Sequence, residues 1–349
     1  MKYGLLSHYY HPYNWHNTGD TIQSLAAAEY LPSIDAFLHY WNLRDWDEQG
    51  CFKVIMNGYW HPEFFFKKSF QMSKGIGRQK MTFISDNIMP FFISTHVATR
   101  GEHAPELYTD LKNMFTKCGT IYTRDAVSAE VLKQNAQKAE MSGCLTLTLK
   151  KSNVEKRDYI VVSDISDDLK AFLSKQTTRK IYDISSWISG DYGLIGELLF
   201  AENMLKFLQS AHCVISSRMH IALPCLALGT PTLLAFRHNI ADFAHIEKLS
   251  QNDRFSGMSH LLYSSIESEY INNYDMFSVD NPPNNKDDYL PLREFMIKKC
   301  NDFIGSSPYY QEKTHIPICS KINKKHIKLD CIYEKAFCKL LDMSEYRGR

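Results

Sequence analysis

The sequence has no excess of charge of either sign. It contains 40 Lys and Arg against 39 Asp and Glu, so its formal net charge is +1 over 349 residues. A chain with so balanced a charge lacks the overall positive field that attracts nucleic acid. The balance therefore predicts that nucleic acid is not a partner.

Closely spaced cysteine pairs are also missing. The nine cysteines include no C-x-x-C pair, and several lie in apolar runs, such as Cys213 in HCVIS and Cys225 in LPCLAL. A free thiol in such a run behaves as a small hydrophobe. The pattern favours a reducing compartment over a disulfide framework, so it predicts a cytoplasmic protein.

No apolar run has the length of a membrane span. The most apolar stretch, IALPCLALGTPTLLAF at 221–236, is interrupted by a Pro and by a Gly-Thr-Pro turn, whereas a span needs roughly 20 apolar residues. The N-terminus lacks the apolar core and the cleavage site of a signal peptide.

The last segment is basic. It carries five lysines with no acid among them: Lys313, Lys321, Lys324, Lys325 and Lys328. These lysines predict either a peripheral contact with the inner face of a membrane or a solvated surface.

Several motifs of common enzyme classes are absent. There is no P-loop, G-x-G-x-x-G, G-x-S-x-G or H-E-x-x-H, which argues against an NTPase, a dehydrogenase, an α/β-hydrolase and a zincin. His8, His11 and His16 crowd one loop, but their spacing is not that of a helical zinc pair. We therefore predict neither a metal nor a cofactor.

Strand-like and helix-like runs alternate in both halves of the chain. This alternation predicts an α/β fold of two doubly wound, Rossmann-like domains with parallel sheets, and places a ligand in the cleft between them. The polar stretch at 150–158 divides a domain at 1–150 from a domain at 151–349 that ends in a helical tail. The predicted strands include KYGLLSH, FKVIMNG (52–58), MTFISD (81–86), PFFISTHVAT (90–99), YIVVSD (159–164) and KIYDIS (180–185), and the predicted helices include DTIQSLAAAEYL and LLFAENMLKFLQSA (198–211).

The sharpest local signal is SSRMH, between a predicted strand and a predicted apolar helix. A helix N-terminus binds anions through its free N–H groups and its dipole, and Ser217 and Met219 belong to this turn. Arg218 adds a forked cation for carboxylate or phosphate, and His220 can hold or release a proton near neutral pH. The alternative is a helix cap beside a surface arginine.

Three further turns carry candidate residues. In NTGDTIQ, Asn17 precedes Gly19, which permits a tight turn or a close approach, and Asp20 either caps the following helix or accepts a proton from a hydroxyl. In YTRDAVS, Arg124 is a second cation or an interdomain ion pair. In IMNGYWHP, Asn-Gly marks a turn, and the aromatic residues after it suit a sugar or an ordinary core. The candidates of that element are Asn57, Tyr59 and His61.

These pieces, in this order, resemble the polysaccharide pyruvyl transferase family. The matching elements are NTGD, YTRD followed by SGCLTLTL, and SSRMHIALPCLALGTPTLLAF, from about residue 3 to about residue 240, with DRFSG as a weaker extension. The resemblance implies a GT-B-like pair of domains, the first on the acceptor side and the second on the donor side. It also implies transfer of pyruvate from phosphoenolpyruvate, as a ketal, to a sugar of a surface polysaccharide or its lipid-linked precursor.

The resemblance also implies roles for individual residues. Arg218 and Arg124 would bind the donor anions, together with Ser217 and Met219, and His220 would act as acid or phosphate ligand. Asp20 would be the base for the acceptor, whose further contacts would be Asn17, Gly19, Asn57, Tyr59 and His61.

Two alternatives remain at this point. NGYWHP and ISTHVAT resemble a subgroup whose members need not all be pyruvyl transferases, so a GT-B-like glycosyltransferase that uses a nucleotide sugar is the main one. A glycan-binding protein without catalytic activity is the other, and the intact R-x-H and G-D elements argue against it.

Overall fold

A computed structural model describes residues 1–8, 15–39, 43, 46–60, 84–97, 115, 118–190, 192–236, 256–305 and 314–323. His11, His61, Lys313, Lys324, Lys325 and Lys328 lie outside these ranges. The strands are β1 (Lys2–Ser7), β2 (Trp15–Asn17), β3 (Ala36–His39), β4 (Phe52–Trp60), β5 (Ile88–Val97), β6 (Ile121–Thr123), β7 (Ala139–Met141), β8 (Tyr159–Ser163), β9 (Lys180–Ile184), β10 (Trp187–Ser189), β11 (Cys213–Ser216), β12 (Thr232–Phe236) and β13 (Tyr263–Ile266). The α-helices are α1 (Thr18–Ala28), α2 (Ala126–Gln134), α3 (Asp167–Gln176), α4 (Gly193–Ser210), α5 (Met219–Leu228), α6 (Glu267–Asn272), α7 (Leu290–Ile304) and α8 (Ile318–Lys321).

Two parallel sheets organise the described residues. The first has the strand order β3-β1-β4-β5-β6-β7, and the second has the order β13-β12-β11-β8-β9. Strands that are covered on both faces have uninterrupted apolar sequences, as in YIVVS of β8, which is buried throughout. The predicted α/β fold with parallel, Rossmann-like sheets is confirmed. The division after residue 150 and the GT-B-like pairing stay predictions.

One strand prediction was wrong over its described residues, and one strand was not predicted. The described part of MTFISD, residues 84–86, lies before β5 and forms no strand. Conversely, Tyr263–Ile266 pairs with β12 as the edge strand of the second sheet, although the sequence there showed no clear alternation. Edge strands carry a weaker apolar signal because one of their sides is not covered by a neighbouring strand.

The predicted turn at Asn-Gly is instead an irregularity inside β4. The pairing of β4 with β5 shifts register between Met56 and Gly58, and Gly58 has a φ of 124°, a conformation that suits glycine. The strand continues to Trp60, which is fully buried and lies 5.7 Å from Phe92 between ring centroids. Trp60 therefore belongs to the core, as the alternative interpretation of this element had it.

Helix α1 begins one turn earlier than a cap at Asp20 would require. Asn17 is the N-cap, and its side-chain oxygen accepts a hydrogen bond from the Gly19 N–H at 3.0 Å. Asp20 lies in the first turn, where its charge favours the helix dipole. Gly19 is likewise helical rather than part of a tight turn. Helix α4 also begins earlier than predicted, at Gly193.

A short antiparallel ribbon and a shared core join the two halves of the chain. Strand β2 pairs with β10, so that Asn17 lies opposite Trp187, and the Thr18 N–H donates to the Ser186 carbonyl at 2.8 Å. Helix α1 packs on α4 and α5 through buried residues such as Leu25 and Leu223 of one apolar cluster. The start of α1 is thereby fixed against the second half of the chain.

The C-terminal part of the chain returns to the first half. In α7, Arg293 donates from Nη1 to the Leu147 carbonyl at 2.5 Å. Further on, Lys321 is buried and donates from Nζ to the Ala28 carbonyl at 2.7 Å. That lysine is therefore unavailable to a membrane surface, which corrects the prediction for this member of the basic segment. Among the described helices, none combines the length and the hydropathy of a membrane span.

Candidate active site

The predicted turn before helix α5 carries a half-exposed arginine. Arg218 is the N-cap residue of α5, and its side chain makes no capping hydrogen bond. Its Nε lies 3.2 Å from Oδ2 of Asp164, at the end of β8; the arginine side chain is 43% exposed and the aspartate 14%. Nη1 and Nη2 make no hydrogen bond to another described residue. The forked edge of the guanidinium is thus open for a carboxylate or a phosphate.

Asp164 itself is held from several sides. Its Oδ2 accepts hydrogen bonds from Ser163 Oγ at 3.1 Å and from the N–H and Oγ of Ser186 at 3.1 and 3.0 Å. Its Oδ1 accepts from Ser185 Oγ at 3.1 Å. Burial raises the pKa of Asp164, but the hydrogen bonds from Ser186, the charge of Arg218 and the hydrogen bond from Ser185 outweigh burial, so the pKa lies below its usual value.

The first turn of α1 forms a second polar group. Asp20 is partly exposed, and its carboxylate accepts hydrogen bonds from Asn17 Nδ2 at 3.2 Å and from Gln23 Nε2 at 3.1 Å. Two other atoms of this turn, Thr18 Oγ1 and Gln23 Oε1, are buried without a hydrogen-bond partner among the described residues. Buried polar atoms are normally paired, so this turn suits a polar ligand.

The two turns touch each other at Gly19 and His220. A Cβ placed on Gly19 would lie 2.9 Å from His220 Cβ and 3.2 Å from His220 Nδ1. The backbone approach that the sequence predicted for Gly19 is therefore to a neighbouring helix. The contact packs the first turn of α1, which contains Asp20, against the first turn of α5, which contains His220 and follows Arg218. Two positive helix ends side by side favour a negatively charged ligand.

Ser217 and Met219 take different positions beside Arg218. Ser217 Oγ donates to the Asp164 carbonyl at 2.7 Å and therefore fixes the loop before α5. Met219 is 9% exposed and belongs to the apolar cluster that α1 and α5 share. Ser217 therefore belongs to the polar part of the site, whereas Met219 mainly packs in the core.

Asn57 and Tyr59 lie among the last four residues of β4. Asn57 is fully buried and donates from Nδ2 to the Gln23 carbonyl at 2.7 Å, so it supports the turn that holds Asp20. Tyr59 is partly exposed and stacks on His96, with ring centroids 4.9 Å apart and planes 9° from parallel.

Arg124 and the residue after it, Asp125, are both buried. Its side chain is among the largest that are fully enclosed, with 2% exposure. The next residue, Asp125, lies 2.5 Å from His96 Nδ1 through Oδ2 and accepts the Ser128 N–H on Oδ1 at 2.8 Å. Burial raises the pKa of Asp125, but the hydrogen bond and charge of His96 and the charge of Arg124 outweigh it, so the pKa is lowered.

Sequence reasoning missed Asp164, the paired serines after β9 and the His96–Asp125 pair. A signal for Asp164 was present, since YIVVSD ends a buried parallel strand with a carboxylate, and ligands bind beyond the carboxyl ends of such strands. Ser185, Ser186 and His96 carry no comparable local signal. Among the described residues, no group of three His, Cys, Asp or Glu side chains is arranged to hold a metal ion.

Comparisons with known proteins place the chain in a family. The family model for polysaccharide pyruvyl transferase matches residues 17–239, which include both helix N-termini of the site. Among solved structures, the chain is similar to that of a functionally uncharacterised protein from Klebsiella pneumoniae subsp. pneumoniae NTUH-K2044. That likeness has 13% sequence identity and a TM-score of 0.38, and it covers 71% of this chain and 90% of the other. A search of curated proteins finds no match.

The family match spans more than half of the 349 residues. It also contains NTGD, YTRD and SSRMH, the elements on which the resemblance was based, so that resemblance is confirmed. The chain belongs to the polysaccharide pyruvyl transferase family and is a transferase.

Proposed function

We propose that the protein transfers pyruvate from phosphoenolpyruvate to two hydroxyls of a sugar, as a ketal, in the synthesis of a capsule or another surface polysaccharide. The observation that carries the proposal is the convergence of two helix N-termini at Gly19 and His220, beside the open edge of Arg218 and the carboxylate of Asp20. Family membership supports a polysaccharide acceptor. The identity of the donor is our inference from the charges of the site.

The donor carries a carboxylate and a phosphate, and both need cationic or N–H partners. Arg218 offers the two Nη groups of its guanidinium, and the first turn of α5 offers backbone N–H groups that no side chain caps. Arg124 adds positive charge from a buried position. Groups fixed in this way stabilise developing negative charge without having to reorient during the reaction.

His220 and Asp20 fit the proton transfers of the reaction. His220 gives a proton to the methylene carbon of phosphoenolpyruvate, which creates an oxocarbenium-like centre at the neighbouring carbon. Asp20 accepts the proton of the sugar hydroxyl that attacks this centre. Phosphate then leaves with its bonding electron pair, and a second hydroxyl closes the ketal and gives its proton to His220, which the first step left neutral. The proton held by Asp20 is released with the phosphate. The products are the ketal and inorganic phosphate.

The proposal includes a GT-B-like arrangement. Residues 1–150 form the acceptor side with Asn17, Gly19, Asp20, Asn57 and Tyr59, and residues 151–349 form the donor side. The parallel sheets of the two halves support it, because Asp164 and Arg218 lie beyond the carboxyl ends of β8 and β11 in the second sheet, and Asn57 and Tyr59 lie in the C-terminal part of β4 in the first. His61 remains a proposed acceptor contact outside the described residues.

We also place the reaction in the cytoplasm, because all seven described cysteines are free. The acceptor is then a saccharide that is lipid-linked at the inner face of the membrane. Because 314–323 packs into the fold, a truncation for liposome binding belongs after Asn323. Unchanged binding to anionic vesicles would remove Lys324, Lys325 and Lys328 as a membrane contact.

A second candidate is glycosyl transfer from a nucleotide sugar. The open Arg218 edge at a helix N-terminus supports it, because a diphosphate fits these groups as well as a carboxylate and a phosphate do. The two candidates differ in the donor that should stabilise the protein.

Thermal unfolding with phosphoenolpyruvate and with UDP-glucose separates the two candidates. A ligand at 100 times its dissociation constant adds about 2.7 kcal/mol to the free energy of unfolding. We expect stabilisation by phosphoenolpyruvate that is lost in Arg218→Ala and kept in Arg179→Ala. Arg179 is a matched control because it pairs with Asp158 and Asp280 at the opposite end of the second sheet. Stabilisation by UDP-glucose alone would overturn pyruvyl transfer in favour of glycosyl transfer.

A further inference from the structure

We propose that Asp164 is a positioning residue, which sets the guanidinium of Arg218 for an anionic ligand. The inference rests on the proposed function only in assigning donor binding to Arg218. Asp164 lies outside the motifs NTGD, YTRD and SSRMH.

Several groups hold the Asp164 carboxylate at once. Its Oδ2 takes two hydrogen bonds from Ser186 and one from Ser163, and its Oδ1 takes one from Ser185. A carboxylate with this many donors has little freedom to rotate. The Nε edge of Arg218, 3.2 Å from Oδ2, is therefore paired with a fixed charge.

Asp164 also connects the starts of two helices. Its carbonyl accepts the Ser217 hydroxyl at 2.7 Å, immediately before Arg218. Its carboxylate holds Ser186, whose own carbonyl accepts the Thr18 N–H at the start of α1. One residue thus connects the loop before α5 with the first turn of α1, which are the two elements that converge in the site.

The backbone of Asp164 has a conformation that is unusual for a residue other than glycine. Its φ is 56°, in the left-handed region that non-glycine residues seldom adopt and that Asp and Asn tolerate best. Such conformations persist where the surrounding contacts impose them, and they are frequent at functional sites. Here the turn directs the carboxylate towards both Ser186 and Arg218.

Exposure separates a positioning role from a stabilising one. The Arg218 side chain is 43% exposed, and an ion pair with so exposed a partner contributes little to folding. The same pair has a clear benefit for binding. It restrains a long, flexible side chain before the ligand arrives, which reduces the entropy lost on binding, and it leaves Nη1 and Nη2 open.

A double-mutant cycle on the full-length chain tests the inference. Dissociation constants for phosphoenolpyruvate and for UDP-glucose are measured by calorimetry in wild type, Asp164→Asn, Arg218→Lys and the double variant. Asparagine also tolerates the left-handed backbone, and the melting temperature checks that each variant is folded. Asp183→Asn is the matched control, because this acid lies on the neighbouring strand β9, where it pairs with Lys170.

We expect Asp164→Asn to weaken donor binding about tenfold in the wild-type background, which corresponds to ~1.4 kcal/mol. In the Arg218→Lys background the same change should have no such effect, because lysine has no fork to orient. Asp183→Asn should leave binding unchanged in both backgrounds. A purely structural role for Asp164 predicts an equal loss in both backgrounds instead.

The possible results distinguish failure of the inference from failure of the proposed function. An equal loss in both backgrounds, or unchanged or tighter binding in Asp164→Asn, would remove the positioning role. If wild type binds UDP-glucose and not phosphoenolpyruvate, the proposed function fails. The role of Asp164 is then tested by the dissociation constants for UDP-glucose in the same four proteins. Binding of neither probe would overturn the inference, since the open edge of Arg218 would then take no anion.

Discussion

The two ends of helix α1 carry similar charged side chains in different surroundings. At its N-terminal end, Asp20 is partly exposed, and Gly19 packs against His220 of α5, whose N-cap Arg218 pairs with Asp164 and is 43% exposed. At its C-terminal end, Glu29 lies in a buried cluster, with 2% of its side chain exposed. The first end is open to a ligand, and the second is closed by protein.

The closed end is made by the segment 314–323. His315 lies 2.5 Å from Glu29 through Nδ1 and 2.5 Å from Glu202 through Nε2, and Lys321 donates to the carbonyls of Ala28 and Glu29. Burial alone would lower the pKa of His315, but hydrogen bonds and charges from Glu202 and Glu29 outweigh it and raise the pKa to about 9. The histidine is therefore charged at neutral pH and links the two acids.

The comparison shows that the surroundings of a charged residue decide whether it contributes to ligand binding or to stability. A half-exposed ion pair leaves part of its arginine accessible, so Arg218 can bind a ligand through Nη1 and Nη2 while Nε stays paired with Asp164. A buried cluster cannot lose one member without leaving a charge unpaired away from water. Function should therefore depend on the N-terminal end of α1 and stability on its C-terminal end, and the following changes test that separation.

The largest effect should come from Asp20→Asn at the open end. We expect turnover to fall by about 10²–10⁴-fold, the usual contribution of a general base. Asparagine keeps the size of the side chain, so donor affinity and melting temperature should change little. Steady-state release of phosphate from phosphoenolpyruvate, with a sugar acceptor present, measures the effect. Turnover within threefold of wild type would remove Asp20 as the base.

His315→Ala should give the next largest effect, at the closed end. Removing the histidine leaves Glu29 and Glu202 buried without it, which should lower the free energy of unfolding by about 3–5 kcal/mol. Urea denaturation measures this loss, and donor affinity of the folded variant should match that of wild type. Lys170→Ala is the control, since its ion pairs with Asp167 and Asp183 are at the surface and should contribute about 0–1 kcal/mol.

Gly19→Ala should have a moderate effect on both stability and donor binding, because Gly19 is the contact between α1 and α5. A Cβ there would come within 2.9 Å of His220 Cβ, and overpacking of this kind costs about 1–3 kcal/mol. We expect weaker donor binding in calorimetry as α1 and α5 move apart. If only helix propensity mattered, alanine would stabilise the protein and leave binding unchanged.

The pH dependence of stability should show the smallest effect. His315 has a raised pKa in the folded state, so its stabilisation is complete below about 6.5 and is lost as pH rises towards 9. Burial lowers the pKa of Lys321 to about 8, and this shift favours the folded state increasingly above that pH. The free energy of unfolding should therefore fall from pH 6.5 to 8 and then level off. In His315→Gln the fall should be absent, and its persistence would contradict the assignment.

Local patterns were sufficient for most of the fold. The apolar runs of β8 and β11 and the apolar helix after SSRMH were predicted correctly, because burial in a parallel sheet requires such sequences along each strand. The cap of α1 was misplaced because Asn17 and Asp20 are both good caps and only the backbone decides between them. The sequence predicted a turn at Asn57–Gly58, because glycine with a positive φ occurs in turns as well as in strand irregularities.

The unpredicted parts of the site depend on pairing between distant segments. Asp164 meets Arg218 across 54 positions of sequence, and His315 meets Glu29 across 286. No local periodicity encodes such contacts. The sequence did indicate Arg218, His220 and Asp20, because turns between strand and helix are where polar residues reach a ligand. It could not show that Gly19 and His220 bring them together.

A crystal structure of the protein with phosphoenolpyruvate would test the central claim most directly. We predict that the carboxylate or the phosphate lies within hydrogen-bond distance of Nη1 or Nη2 of Arg218 and of the first N–H groups of α5, with the methylene carbon towards His220. Phosphoenolpyruvate bound away from the junction of α1 and α5, or a junction that accepts only a nucleotide sugar, would contradict the account.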